Sequence, residues 1–130
     1  MDPTIIHFEI PARDVQKLKD FYEKVFGWKI VKSPPMGNMD YWLIETVPVD
    51  DKGRLMRPGV NGGMYIISGD QRPPVNYVRV DNINKAFREA KRLGATVINE
   101  KTEIPNIGVF AVLKDPEGNP IAMMQPATMM

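Results

Sequence analysis

Two stretches of this chain follow one plan, and that repeat limits its fold more than any other feature. Asp14 stands where it can cap a helix that Gly27 stops; Asp81 or Asn82 stands where it can cap another that Gly94 stops. The interval from Asp14 to Gly27 is thirteen residues, and so is the interval from Asp81 to Gly94. A helix start favours a short oxygen-bearing side chain, and glycine readily adopts the left-handed conformation that ends a helix.

The segments around these helices repeat as well. From Ile5 to Ile10 the residues alternate, with Ile6, Phe8 and Ile10 on one side and Ile5, His7 and Glu9 on the other, the period of a strand with one buried face. Pro11 is expected to end that strand. Val15, Leu18, Phe21, Tyr22, Val25 and Phe26 then recur at helical spacing. Strands are expected over 28–31, 41–47 and 62–67, with loops over 33–38 and 50–59. Gly37-Asn38 and Gly62-Gly63 read as turns or bulges, because neither links a strand to a helix beside a basic partner as a phosphate loop does.

The second half runs in the same order. Residues 75–80 read as a strand, Ile83, Ala86, Phe87, Ala90 and Leu93 as a helix face, and 96–98 as renewed strand. Residues 109–113 and 121–125 are strands joined by Asp115-Pro116-Glu117-Gly118-Asn119, whose proline and glycine suit a hairpin turn. The tail from Pro126 to Met129 and Met130 is expected to fray. The result is an α+β chain, one domain over 1–130, with two tandem βαβββ modules at about 1–67 and 75–126 and a linker at 68–74. Sheets covered by a helix on one side leave the other side for a partner or a ligand, so a central cleft lined by alternate strand residues is expected.

Composition narrows the function classes. Seventeen Lys and Arg balance sixteen Asp and Glu, a formal charge of +1, so nucleic acid and anionic membranes are not expected partners. The absence of cysteine removes disulfides, thiolate catalysis and cysteine-held metals, and fits a cytoplasmic setting. No window approaches eighteen apolar residues, so no membrane-spanning helix is expected.

Several of these segments together resemble the vicinal oxygen chelate superfamily of glyoxalase I, the bleomycin-resistance proteins and the extradiol dioxygenases. The resemblance rests on His7-Phe8-Glu9-Ile10-Pro11, on the run from Phe21 to Trp28, on Val78-Arg79-Val80-Asp81-Asn82-Ile83, on Leu93-Gly94-Ala95 and on the Asp115–Asn119 turn. It implies paired βαβββ modules, a homodimer, and a divalent metal held by His and Glu side chains from four strands, used as a Lewis acid. Carried over by position, His7 matches the first metal ligand and Glu45 is the nearest match to the second. Val75 and Ala122 stand at the third and fourth positions, where neither side chain can bind a metal. Catalytic zinc sites use three protein ligands, so the expected cofactor is none or a weakly held divalent metal.

The candidate ligand-binding residues are His7, Glu9, Trp42, Tyr77, Arg79 and Phe110. Glu9, Tyr77 and Arg79 face one way if the strands alternate as read, and a Glu9–Arg79 ion pair is the structural alternative. Trp28, Trp42, Met64 and Phe110 form either an apolar ligand wall or core. Met123 and Met124 cannot both face the cleft. Three functions fit: a small-molecule binder for an apolar or aromatic compound with an incomplete metal site; a metal-dependent lyase, isomerase or dioxygenase; and an accessory module binding a protein through the polar loop near Arg54 and Arg57.

Overall fold

The computed structural model describes residues 2–35, 39–70 and 72–127; the turn expected at Gly37-Asn38 and the tail residues Met129 and Met130 lie outside them. Contacts divide the chain into two compact units, His7–Pro74 and Met1–Ile6 with Val75–Met130. Each unit holds one helix and four strands in the same connection order, the duplicated βαβββ plan.

In the His7–Pro74 unit, strand β1 (Ile5–Ala12) leads to helix α1 (Val15–Phe26), then to β2 (Lys29–Lys32), β3 (Tyr41–Glu45) and β4 (Gly62–Ile66). The ladder runs β2-β3-β4-β1, antiparallel except for the parallel β4–β1 pair. Asp14 caps α1 by accepting from the Lys17 amide at 3.1 Å, and Gly27 closes it at φ +72°, a region that strains other residues. Pro11 does not end β1. Its fixed φ tolerates extended backbone and costs only a donor, and Ala12 still accepts from the Ile67 amide at 2.9 Å. Strand β3 stops at Glu45, earlier than alternation predicts, because the Thr46 and Val47 amides both donate to the Asn61 side chain.

One face of this ladder carries the core. Ala12, Ile30, Ile44 and Met64 form its buried centre, and Phe8, Ile10, Val15, Leu18, Tyr22, Trp28 and Trp42 pack around them.

The other unit contains β5 (Val75–Arg79), α2 (Ile83–Arg92), β6 (Thr96–Ile104), β7 (Gly108–Lys114) and β8 (Pro120–Pro126), in the order β5-β8-β7-β6. The Thr4 carbonyl accepts from the Arg79 amide at 2.9 Å. Of the two cap candidates Asn82 serves, accepting from the Lys85 amide at 3.0 Å. Ile83, Phe87, Ala111 and Leu113 make the buried centre, with Met123 packed against it. The expected hairpin turn forms, with the Asp115 amide donating to the Asn119 carbonyl at 2.8 Å and the Gly118 amide to the Asp115 carbonyl at 2.9 Å. Strand β6 is much longer than the 96–98 expected. Most of its side chains are exposed, so it lacks the apolar alternation that marks a strand in sequence.

Ile44 is fully buried and the next strand residue inward along the chain, Leu43, is 43% exposed. Ile44→Ala is expected to lower unfolding free energy by roughly 2–5 kcal/mol and Leu43→Ala by under about 1 kcal/mol, read by urea denaturation. Equal losses would show that the two faces are not divided in this way.

Candidate functional site

Strand alternation sends every second side chain of the His7–Pro74 ladder away from α1. Because Phe8, Ile10 and Ala12 of β1 face the core, His7 and Glu9 face the other way. On β3 the same rule puts Trp42 and Ile44 in the core and Tyr41, Leu43 and Glu45 on the opposite face. On β4, Met64 is inside while Gly63 and Tyr65 share the face of His7.

The centre of that face is a hydrogen-bonded chain of three side chains. The Tyr41 hydroxyl donates to Glu9 Oε2 at 2.9 Å, and its oxygen lies 2.8 Å from His7 Nε2. A phenol has one hydrogen; with that hydrogen given to Glu9, His7 donates from Nε2 as the neutral tautomer. Burial supports the same charge state, lowering the His7 pKa from 6.5 to about 4.

Gly63 makes this geometry possible. It pairs with Leu43 on one side and with Glu9 on the other, so β4 lies between Tyr41 and the strand of its two partners. The Tyr41 ring crosses β4 over Gly63, where a Cβ would collide with the phenol. Gly62-Gly63, read from sequence as a turn or bulge, is therefore strand backbone thinned to let a ring pass. Beyond Tyr41, burial and then the Glu9 charge raise the Tyr65 pKa, and Arg72 opposes them by its charge and a hydrogen bond to the phenol.

The sequence candidates are therefore sorted by face. His7 and Glu9 come together, joined by Tyr41. Trp42 does not join them, and neither do Trp28 and Met64: all three pack at the α1 side, with Met64 fully buried and Trp28 stacked on Tyr22 at 5.0 Å. In the other unit, Tyr77 and Phe110 lie with ring centroids 6.3 Å apart, and Tyr77 pairs with Ala122 in the ladder. Met123 takes the core side, leaving Met124 with Phe110, its ladder partner. Arg79 Nη2 donates to the Asp2 carbonyl at 3.4 Å, while its buried Nε has no partner among the described residues.

Tyr41 was the residue missed. Its signal was present, since a strand that turns Trp42 inward must turn Tyr41 outward.

The donors available do not fit the metal that the resemblance implies. Glu45 shares the face of His7 but stands on β3, with β4 between it and β1. His7 Nε2 and Glu9 Oε2 are both engaged by Tyr41, and Val75 and Ala122 carry no donor. Among the described residues no three His, Cys, Asp or Glu side chains form a group able to hold a metal ion. Two committed donors fall short of the three that catalytic zinc centres use.

Residues 4–123 match the pattern of the Glyoxalase/Bleomycin resistance protein/Dioxygenase superfamily. The chain belongs to that superfamily. It is 39% identical over 109 residues to the CFP32 proteins of Mycobacterium bovis and Mycobacterium tuberculosis, which carry a provisional glyoxylase name; the match covers 82% of this chain and 38% of theirs. The superfamily chain described here thus spans about two fifths of those relatives' length. A glyoxylase-like domain-containing protein of Didymella fabae is 26% identical over 117 residues, covering 85% of this chain and 84% of that one.

Solved structures share the vicinal oxygen chelate fold. Methylmalonyl-CoA epimerase from Mycobacterium tuberculosis superposes with a TM-score of 0.66 at 14% identity, covering 95% of this chain and 88% of its own. The Streptomyces coelicolor epimerase in complex with 2-nitronate-propionyl-CoA gives 0.67 at 11%, covering 98% and 100%. At such identities the likeness shows the fold alone.

Two measurements test the site. His7 is the single histidine, so its ring protons can be followed by NMR without ambiguity; the midpoint is expected near pH 4. Because the unfolded state binds the proton first, stability is expected to fall as pH drops from about 6.5 to 4, by an amount on the order of 3 kcal/mol, and His7→Gln should remove that slope. A midpoint near 6.5 would show an open, solvated imidazole. Separately, Gly63→Ala is expected to displace the Tyr41 ring, raising the His7 midpoint toward its ordinary value; an unchanged midpoint would place the ring elsewhere.

Proposed function

We propose that this chain binds a small organic molecule with an apolar or aromatic body on the His7 face of the His7–Pro74 unit, without a tightly held metal. The observation that carries this reading is the hydrogen-bonded chain from His7 through Tyr41 to Glu9. His7 Nε2, the Tyr41 hydroxyl and Glu9 Oε2 are engaged with one another, so a ligand lying on this face need not supply partners for those three atoms. Leu43, 43% exposed on the same face, supplies apolar surface. The structurally similar Streptomyces coelicolor epimerase is described in complex with an acyl-CoA compound, which shows that this fold can carry an organic ligand.

The Tyr77–Phe110 pair is the corresponding aromatic element of the other unit, to be tested on its own. A homodimer and a cytoplasmic setting belong to the same proposal. Among the described residues no helix is long and apolar enough to cross a membrane.

Elemental analysis of protein purified without tags or chelators is the deciding experiment, with native mass spectrometry of the same sample. Well under one divalent metal per chain, with an organic mass retained by wild type and lost in Leu43→Asp, is the expected result. About one metal per chain that disappears in His7→Ala would overturn the reading in favour of a metal-dependent lyase, isomerase or dioxygenase.

A further inference from the structure

Where β1 runs into α1, the same unit has an open cavity of about 480 Å³. That volume lies within the range of roughly 300–1,000 Å³ usual for small-molecule sites. Arg13, Lys17 and Arg72 contribute three cationic side chains to its lining against the single carboxylate of Asp14. Asp14 is already committed, capping α1 through the Lys17 amide. Arg13 donates to the Gly69 carbonyl at 3.3 Å, and neither Arg13 nor Lys17 has an ion-pair partner among the described residues.

The apolar part of the lining is equally distinctive. Phe21 is 54% exposed although it is one of the largest apolar residues of α1, and it meets Tyr22 edge to face with centroids 5.2 Å apart. An exposed aromatic step beside an excess of positive charge matches a ligand that is apolar at one end and anionic at the other. Cationic side chains recognise phosphate and carboxylate oxygens, and an aromatic ring accepts a flat or acyl body.

We propose that this cavity is a second binding site, for an amphipathic organic anion whose phosphate or carboxylate meets Arg13 and Lys17 and whose apolar body lies against Phe21 and Tyr22. The site is independent of the reading given above for His7. It needs no metal and no titration.

The test is an NMR titration of the full, isotope-labelled chain with 1-naphthyl phosphate, 1-naphthoate, inorganic phosphate and 1-naphthol. Saturable shifts centred on the amides of residues 12–22 are expected with the phosphate or the carboxylate of naphthalene, and whichever binds tighter identifies the headgroup. Inorganic phosphate and 1-naphthol should each bind at least about tenfold more weakly, since each offers half of the recognition. Lys17→Glu should weaken binding by about tenfold or more. Glutamate at the third helical position is favoured beside an N-cap, so this variant keeps α1 intact. Phe21→Ser provides the second variant, removing the aromatic step from an exposed position. No saturable shift, shifts centred on residues 7, 9 and 43, or affinity unchanged by both substitutions would each overturn the proposal.

Discussion

Everything in the His7–Pro74 unit follows from one division: each strand must give alternate side chains to the helix and the rest to the other face. Burying Ile30, Ile44 and Met64 beneath α1 commits Phe8, Ile10 and Trp42 to the same side. The polar residues of β1 are then not free to choose. His7 and Glu9 must project away from the core, two residues apart on one strand. Slipping the register by one residue would bury both of them and expose the core.

Superfamily membership supplies a frame in which a metal is expected, yet these side chains fill the frame differently. The Tyr41 oxygen sits between an imidazole nitrogen and a carboxylate oxygen at ordinary hydrogen-bond distances from each. It needs no counter-charge, because it gives one hydrogen onward and accepts another. Such a network fixes three rotamers together, and a partly satisfied version would be costly. Gly63 is the small residue on which the arrangement depends.

Much of the fold was legible because its signals are local. The cap at Asp14, a cap at Asp81 or Asn82, the stop at Gly27 and the Asp115–Asn119 turn are decided by the residues themselves. The face of His7 followed from alternation alone. Trp42 stands on the core side, apart from His7 and Glu9; an aromatic residue looks alike in sequence whether it lines a site or a core, and only its register with Ile44 separates the two. Alternation alone sets the face of Tyr41, but its meeting with Gly63 joins residues 41, 63, 7 and 9 across three strands, a contact with no trace in any one segment. The cavity at the start of α1 has the same character, drawing Arg72 to Arg13 and Lys17 across a long separation in sequence.

Strand β6 also lies at the end of its ladder, and its register shifts twice against β7 between Val97 and Thr102. Asn99, Glu100, Lys101, Thr102 and Glu103 are exposed along that irregular stretch. A straight apolar edge of this length would be an open template for a strand of another chain. With charges of both signs and a broken hydrogen-bond spacing, the edge offers a stranger no continuous ladder. The weak alternation that hid β6 from a sequence reading is thus a safeguard against aggregation.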